Sequence, residues 1–123
     1  MLGWWIVIVQ QTPEEWATAV DRKAAILANW ETSVNGIDWI EKLTEEGKAA
    51  QLLKGGYPNR YVAISRDVLP LIADGIPTHD GLTVIGDDYV LPGNWTGNVV
   101  IDHGKIAACP PDQILTIDVW DQS

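Results

Sequence analysis

Short apolar runs broken by polar residues run along the whole chain, and the longest of them lies close to the first residue. Residues 4–9 are continuously apolar and rich in β-branched and aromatic side chains. An uninterrupted run of this length is typical of a strand that is covered on both faces of its sheet. We therefore predict that residues 4–9 form a central strand.

A strong helix start follows this strand. Thr12 can cap a helix, Pro13 suits the first helical position, and Glu15 completes a capping box. The apolar residues beyond it recur near helical spacing: Trp16, Val20, Leu27 and Trp30. The pattern predicts a first helix that runs to about residue 31.

A second helix is predicted after the break at Asn35-Gly36. It begins near Asp38 and turns Ile40 and Leu43 inward. Residues 49–53 are predicted as one more helical turn, residues 60–65 as a short strand, and residues 65–73 as a brief helix that Pro70 distorts.

The pattern changes after residue 75, where glycine, proline, aspartate and asparagine separate short β-rich runs. The predicted strands there are 82–85, 89–91, 99–101, 105–108 and 114–120. The whole order predicts a single α+β domain over residues 1–123, with a mixed or antiparallel sheet and the two N-terminal helices packed on one face.

The final predicted strand divides its side chains between two faces. Leu115, Ile117 and Val119 alternate toward the core, so Asp118 and Trp120 must point to the opposite face. We expect two helices to leave that face partly uncovered.

The charge of the chain narrows the classes of partner that it can bind. The net charge is −9, and residues 74–123 hold eight aspartates against one lysine. Such a chain repels nucleic-acid phosphates and anionic membranes, but its field attracts a cationic protein. One cysteine precludes an intrachain disulfide, and the apolar start is too short for a signal peptide. These features predict a cytoplasmic protein.

Acidic and aromatic residues occur together in two segments of the C-terminal half. The predicted partner-binding residues are Asp87, Asp88, Tyr89, Trp95, Asp118, Trp120 and Asp121. Aromatic anchors beside charge are favoured at protein interfaces. This surface is the main functional prediction.

Metal binding and catalysis have weaker support in the sequence than partner binding. His79-Asp80 and Asp102-His103 contain possible metal ligands for a small metal-dependent enzyme, but they match no spaced ligand motif. No nucleophile motif occurs either. We therefore predict no catalysis, no metal and no cofactor, and leave a non-catalytic adaptor or a sugar-binding module open as alternatives.

Three segments look most like those of bacterial toxin-immunity proteins: Gly55-Gly56-Tyr57-Pro58-Asn59-Arg60-Tyr61, Gly86-Asp87-Asp88-Tyr89-Val90 and Asp118-Val119-Trp120-Asp121. In its acidity, size and tryptophan content the chain resembles the immunity proteins of contact-dependent inhibition and other polymorphic toxins. The resemblance implies a monomer that binds a basic toxin domain one to one. That toxin would be a nuclease, most simply an RNase, whose active site the acidic and aromatic surface occludes.

Overall fold

The computed structural model describes residues 3–18, 22–55, 58–73, 75, 82–85, 89–92 and 96–121. The strands are β1 (Trp4–Val9), β2 (Ile26–Thr32), β3 (Ala49–Leu53), β4 (Asn59–Ile64), β5 (Leu82–Ile85), β6 (Tyr89–Pro92), β7 (Thr96–Ile101) and β8 (Ile114–Asp121). The helices are α1 (Pro13–Thr18), α2 (Arg22–Ala25), α3 (Asp38–Glu45), α4 (Ser65–Ile72) and α5 (His103–Ala108), with a 3₁₀ turn at Val34–Ile37.

Six of the strands form one antiparallel sheet in the order β3-β4-β8-β1-β2-β7, and β5 pairs with β6 in a separate antiparallel hairpin. The α+β class is therefore confirmed, and the sheet is antiparallel. β1 lies in the interior between β8 and β2, as its apolar run predicts.

The main core lies on one face of the sheet, which we call the helix face. Alternate residues of the two central strands point there, and Ile6, Ile8, Ile117 and Val119 are fully buried beneath α3 and α4. From α3, Trp39 packs against the Trp30 ring with the centroids 6.2 Å apart. Burial of these aliphatic side chains is the main stabilising contribution.

A smaller cluster lies on the opposite face, which we call the open face. There Val7 and Val9 pack with Trp16 of α1 and Ala25 of α2. The prediction that both N-terminal helices pack on one face is not confirmed, because α1 belongs to this cluster and α3 to the main core. Residues 6–9 of β1 are thus covered on both faces, which explains their unbroken apolar sequence.

The first helix is far shorter than predicted. Its start is confirmed: the Thr12 amide donates to the Glu15 carboxylate at 3.0 Å, and the Glu15 amide donates to the Thr12 hydroxyl at 3.2 Å. Helical structure ends before residue 26, however, and β2 pairs with β1 along its length. Val20, one residue of the predicted stripe, lies outside the described residues.

Two further predictions are wrong. Residues 49–53 form the edge strand β3 rather than a helical turn, because they pair with β4. Residues 105–108 belong to α5 rather than a strand, because Asp102 caps that helix by accepting from the Lys105 amide at 3.0 Å. The other predicted strands and the helices at 38–45 and 65–72 are confirmed. No described helix has both the length and the apolar composition to span a membrane.

Candidate functional site

The first residues of β1 and the last residues of β8 meet at one end of the sheet. Trp4 lies opposite Asp121, and Trp5 lies opposite Trp120. Because side chains alternate along a strand, the first pair belongs to the helix face and the second to the open face. Predicted partner residues therefore lie on both sides of this sheet end.

On the helix face, this end of the sheet and the last turns of α3 border an open pocket of about 330 Å³, in which Glu41 and Glu45 are exposed. We call it the acidic pocket. Its lining residues are Trp4, Ile37, Glu41, Thr44, Glu45, Gln51, Asn59 and Tyr61. Asp121 lies opposite Trp4 on the neighbouring strand and is not one of the lining residues.

The pocket carries negative charge that no neighbouring base neutralises. Glu41 and Glu45 are one helical turn apart on α3, and among the described residues neither forms an ion pair. Burial, followed by the charges of Asp38 and Glu45, raises the pKa of Glu41. The lysines of this region, Lys42 and Lys48, line a different groove between α3 and α4.

Two aromatic residues of the sheet complete the pocket. Tyr61 comes from β4 and is only 3% exposed, and the half-buried Trp4 comes from β1. Burial and the nearby Glu41 charge raise the pKa of the Tyr61 phenol, so it stays neutral and able to donate a hydrogen bond. Carboxylates beside aromatic faces attract cations through both charge and the ring quadrupole.

The open face displays aromatic surface beyond the area that α1 covers. Trp5 is 38% exposed, and its cross-strand neighbour Trp120 is half-buried. Trp120 also packs against the smaller cluster, and this contact fixes the position of its indole. A fixed, half-exposed indole pair loses little conformational freedom on contact with a partner.

Asp118 does not lie on an exposed surface, which corrects the expectation for this residue. It is 3% exposed beneath α1. Its carboxylate accepts from Arg60 Nε at 2.7 Å and Nη2 at 3.0 Å, and from Trp16 Nε1 at 3.2 Å. A carboxylate with these three bonds stabilises the fold and has little capacity left for a partner.

The structure describes only some of the remaining predicted residues. Asp87, Asp88 and Trp95, and likewise His79 and Asp80, lie outside the described residues. Tyr89 is the first residue of β6. Asp102 caps α5 and approaches Lys105 Nζ at 3.8 Å, and His103 is exposed in that helix. Within the described ranges no three histidine, cysteine or acidic side chains gather closely enough to hold a metal ion.

Sequence reasoning missed the residues of the acidic pocket. The i, i+4 spacing of Glu41 and Glu45 was available as a signal for one helix face. Their meeting with Trp4 and Tyr61 depends on strand order, which the pattern alone does not give.

Comparison of the chain with protein-family models, with curated proteins and with solved structures finds no match.

Proposed function

We propose that this protein binds a basic protein partner and acts as an immunity protein that neutralises a cationic toxin domain. The observation that carries the proposal is the acidic pocket, in which Glu41 and Glu45 stand beside Trp4 and Tyr61 with no base among the lining residues. A site of this composition favours a cationic side chain.

The wider charge distribution supports the same kind of partner. A net charge of −9 raises the rate of encounter with a basic protein, and complementary fields improve specificity. The half-exposed pair of Trp5 and Trp120 adds apolar contact area at the same end of the sheet. We retain Asp87, Asp88, Tyr89, Trp95, Trp120 and Asp121 as proposed contacts, and assign Asp118 to the fold.

Inhibition would need no chemistry from this chain. A toxin nuclease binds phosphates through lysines and arginines, and an acidic protein seated on that groove excludes the substrate. The proposed complex joins one monomer of this protein to one toxin domain. A stable protein–protein interface buries roughly 1,600 Å² in total. We place this interaction in the cytoplasm, where Cys109 stays reduced.

The test begins with the adjacent reading frame, where we expect a basic toxin domain to be encoded, and continues with co-expression of that domain. We expect a one-to-one complex by size-exclusion chromatography with light scattering, loss of the domain's nuclease activity, and association that slows as salt rises. A domain that stays fully active with excess protein present contradicts the proposal.

Charge reversal then tests the electrostatic basis. Glu41→Lys with Glu45→Lys should weaken the complex at least tenfold, whereas Glu14→Lys on the exposed side of α1 should change it little. A second double variant, Asp87→Lys with Asp88→Lys, measures the contribution of the predicted acidic loop. If every reversal left affinity and salt dependence unchanged, binding would not rest on charge.

A further inference from the structure

We propose that the acidic pocket is a receptor for one arginine side chain of the partner. This inference rests on the proposed function and identifies the chemical group that its central site binds. It follows from what the lining atoms can accept, from the buried phenol, and from the aromatic walls.

The polar atoms that α3 contributes to the pocket are hydrogen-bond acceptors, whereas Asn59 and Tyr61 on the sheet side can also donate. The two carboxylates of Glu41 and Glu45 accept only. The Thr44 hydroxyl already donates its proton to the Ile40 carbonyl at 2.8 Å, so its oxygen is left to accept. A side-chain N–H of Gln51 donates to the Leu53 carbonyl at 3.2 Å, which holds the amide in one orientation. A ligand that fits this set must bring several donors, and a guanidinium has five and no acceptor.

Tyr61 adds a hydroxyl group to the lining of the pocket. Its side chain is 3% exposed, and among the described residues none forms a hydrogen bond with this hydroxyl. The hydroxyl is not one of the buried side-chain atoms that lack a partner, so the pocket gives it access to one. A group that enters the pocket would supply one, either by donating to the phenol oxygen or by bridging it to Glu41.

The aromatic walls favour arginine over lysine. A planar guanidinium stacks on indole and phenol faces and is less strongly hydrated than an ammonium ion. Trp4 and Tyr61 come from strands β1 and β4, so their rings are positioned by the sheet rather than by a loop. The volume of about 330 Å³ stands at the small end of ordinary ligand pockets, which suits one side chain rather than a whole folded segment.

Peptide probes test the inference without the partner. The probes are acetyl-Gly-Gly-Arg-Gly-Gly-amide, its lysine analogue and its citrulline analogue, which keeps the shape of arginine but has no charge. In ¹H–¹⁵N NMR titrations we expect the arginine peptide to shift the Trp4 indole and the Thr44 and Gln51 amides. We expect it to bind at least threefold more tightly than the lysine peptide, with no saturable shift from the citrulline peptide.

Variants separate specific binding from loose attraction to an acidic protein. Glu41→Gln and Tyr61→Phe should each weaken the arginine peptide at least threefold, whereas Glu14→Gln should leave its affinity unchanged. Equal affinity for arginine and lysine, or shifts that map outside the pocket, would overturn the inference. Unchanged far-UV circular dichroism shows that each variant is folded.

The two proposals can fail separately. If the arginine peptide does not bind the pocket while the co-expressed toxin domain is still neutralised, the arginine receptor is wrong and the immunity function stands. If the peptide binds as described and no basic domain is neutralised, the pocket is real and the function assigned to it is wrong.

Discussion

The indole N–H of Trp16 donates a hydrogen bond to Asp118, 102 positions further along the chain, across 3.2 Å. The same carboxylate forms a bidentate ion pair with Arg60. One aspartate thus connects α1, β4 and β8 on the open face. This contact explains why an acidic residue occupies a buried position of a central strand.

Removal of Asp118 should destabilise the fold. Asp118→Ala leaves the largely buried Arg60 guanidinium without its counter-ion and the Trp16 N–H without its acceptor, at a cost of about 3 kcal/mol in the free energy of unfolding. Urea denaturation measures the loss. The matched control is Asp112→Ala, in an exposed turn of the same half. The double variant with Arg60→Ala should lose less than the sum of the two single losses.

Gly36 should tolerate no side chain. A Cβ atom built there would lie 1.9 Å from Oγ1 of the fully buried Thr32. Gly36→Ala should therefore lower the free energy of unfolding by about 2 kcal/mol, the usual cost of overpacking. Thr32→Ala in the same chain should restore part of the loss. Gly97→Ala, where the nearest atom is 3.7 Å away, should be far milder.

The stability of the fold should depend on pH through Glu41, whose pKa is raised by burial and by the neighbouring carboxylates Asp38 and Glu45. Because the pKa of Glu41 is raised in the folded protein, the folded state holds this proton more tightly than the unfolded state. Ionisation of Glu41 therefore costs stability as the pH rises through and above the ordinary glutamate range. Glu41→Gln should lessen that fall, as seen in melting temperatures between pH 4 and 7. An identical pH profile in the variant would show that folding does not raise the pKa of Glu41.

The thiol of Cys109 should react slowly. Burial raises its pKa, although a hydrogen bond with Ser65 opposes this in part. Since the thiolate is the reactive form, labelling by a disulfide reagent at pH 8 should be slower than for glutathione. Unfolding in guanidinium chloride should restore the rate of an unstructured cysteine peptide. A native rate equal to that of the peptide would mean that the thiol is not shielded.

Trp5 on the open face and Trp30 in the core should differ in how truncation affects stability and binding. Trp5→Ser removes a side chain that is 38% exposed, so stability should fall by about 1 kcal/mol or less, while affinity for a basic partner should drop. Trp30→Ala removes a fully buried ring and should cost about 4 kcal/mol. Chemical denaturation and titration with the toxin domain measure the two effects.

The sequence predicts local features of this fold well. The capping box at Thr12 and Glu15 depends on neighbouring residues, and the alternation of Leu115, Ile117 and Val119 is unambiguous for a strand. Both outcomes follow from interactions within a few positions of the chain.

The errors arise where a local pattern fits two structures. Leu27 and Trp30 lie three positions apart, a spacing that suits a helix, yet both are buried in β2 because pairing with β1 outweighs local preference. Residues 105–108 place Ile106 among small residues, a composition that also suits a strand, but the cap at Asp102 starts a helix there. The acidic pocket combines α3 with β1, β3 and β4, so only the sheet order could reveal it.

The pairing of β1 with β8 has a consequence for how the chain acquires its structure during synthesis. Residues 4–9 leave the ribosome before their neighbour in the sheet, residues 114–121, which is made more than a hundred positions later. Contacts between such distant segments slow folding. The nascent protein must therefore wait, with β1 unpaired on one side, until β8 emerges. Only then can the tryptophan, glutamate and tyrosine residues of the acidic pocket come together.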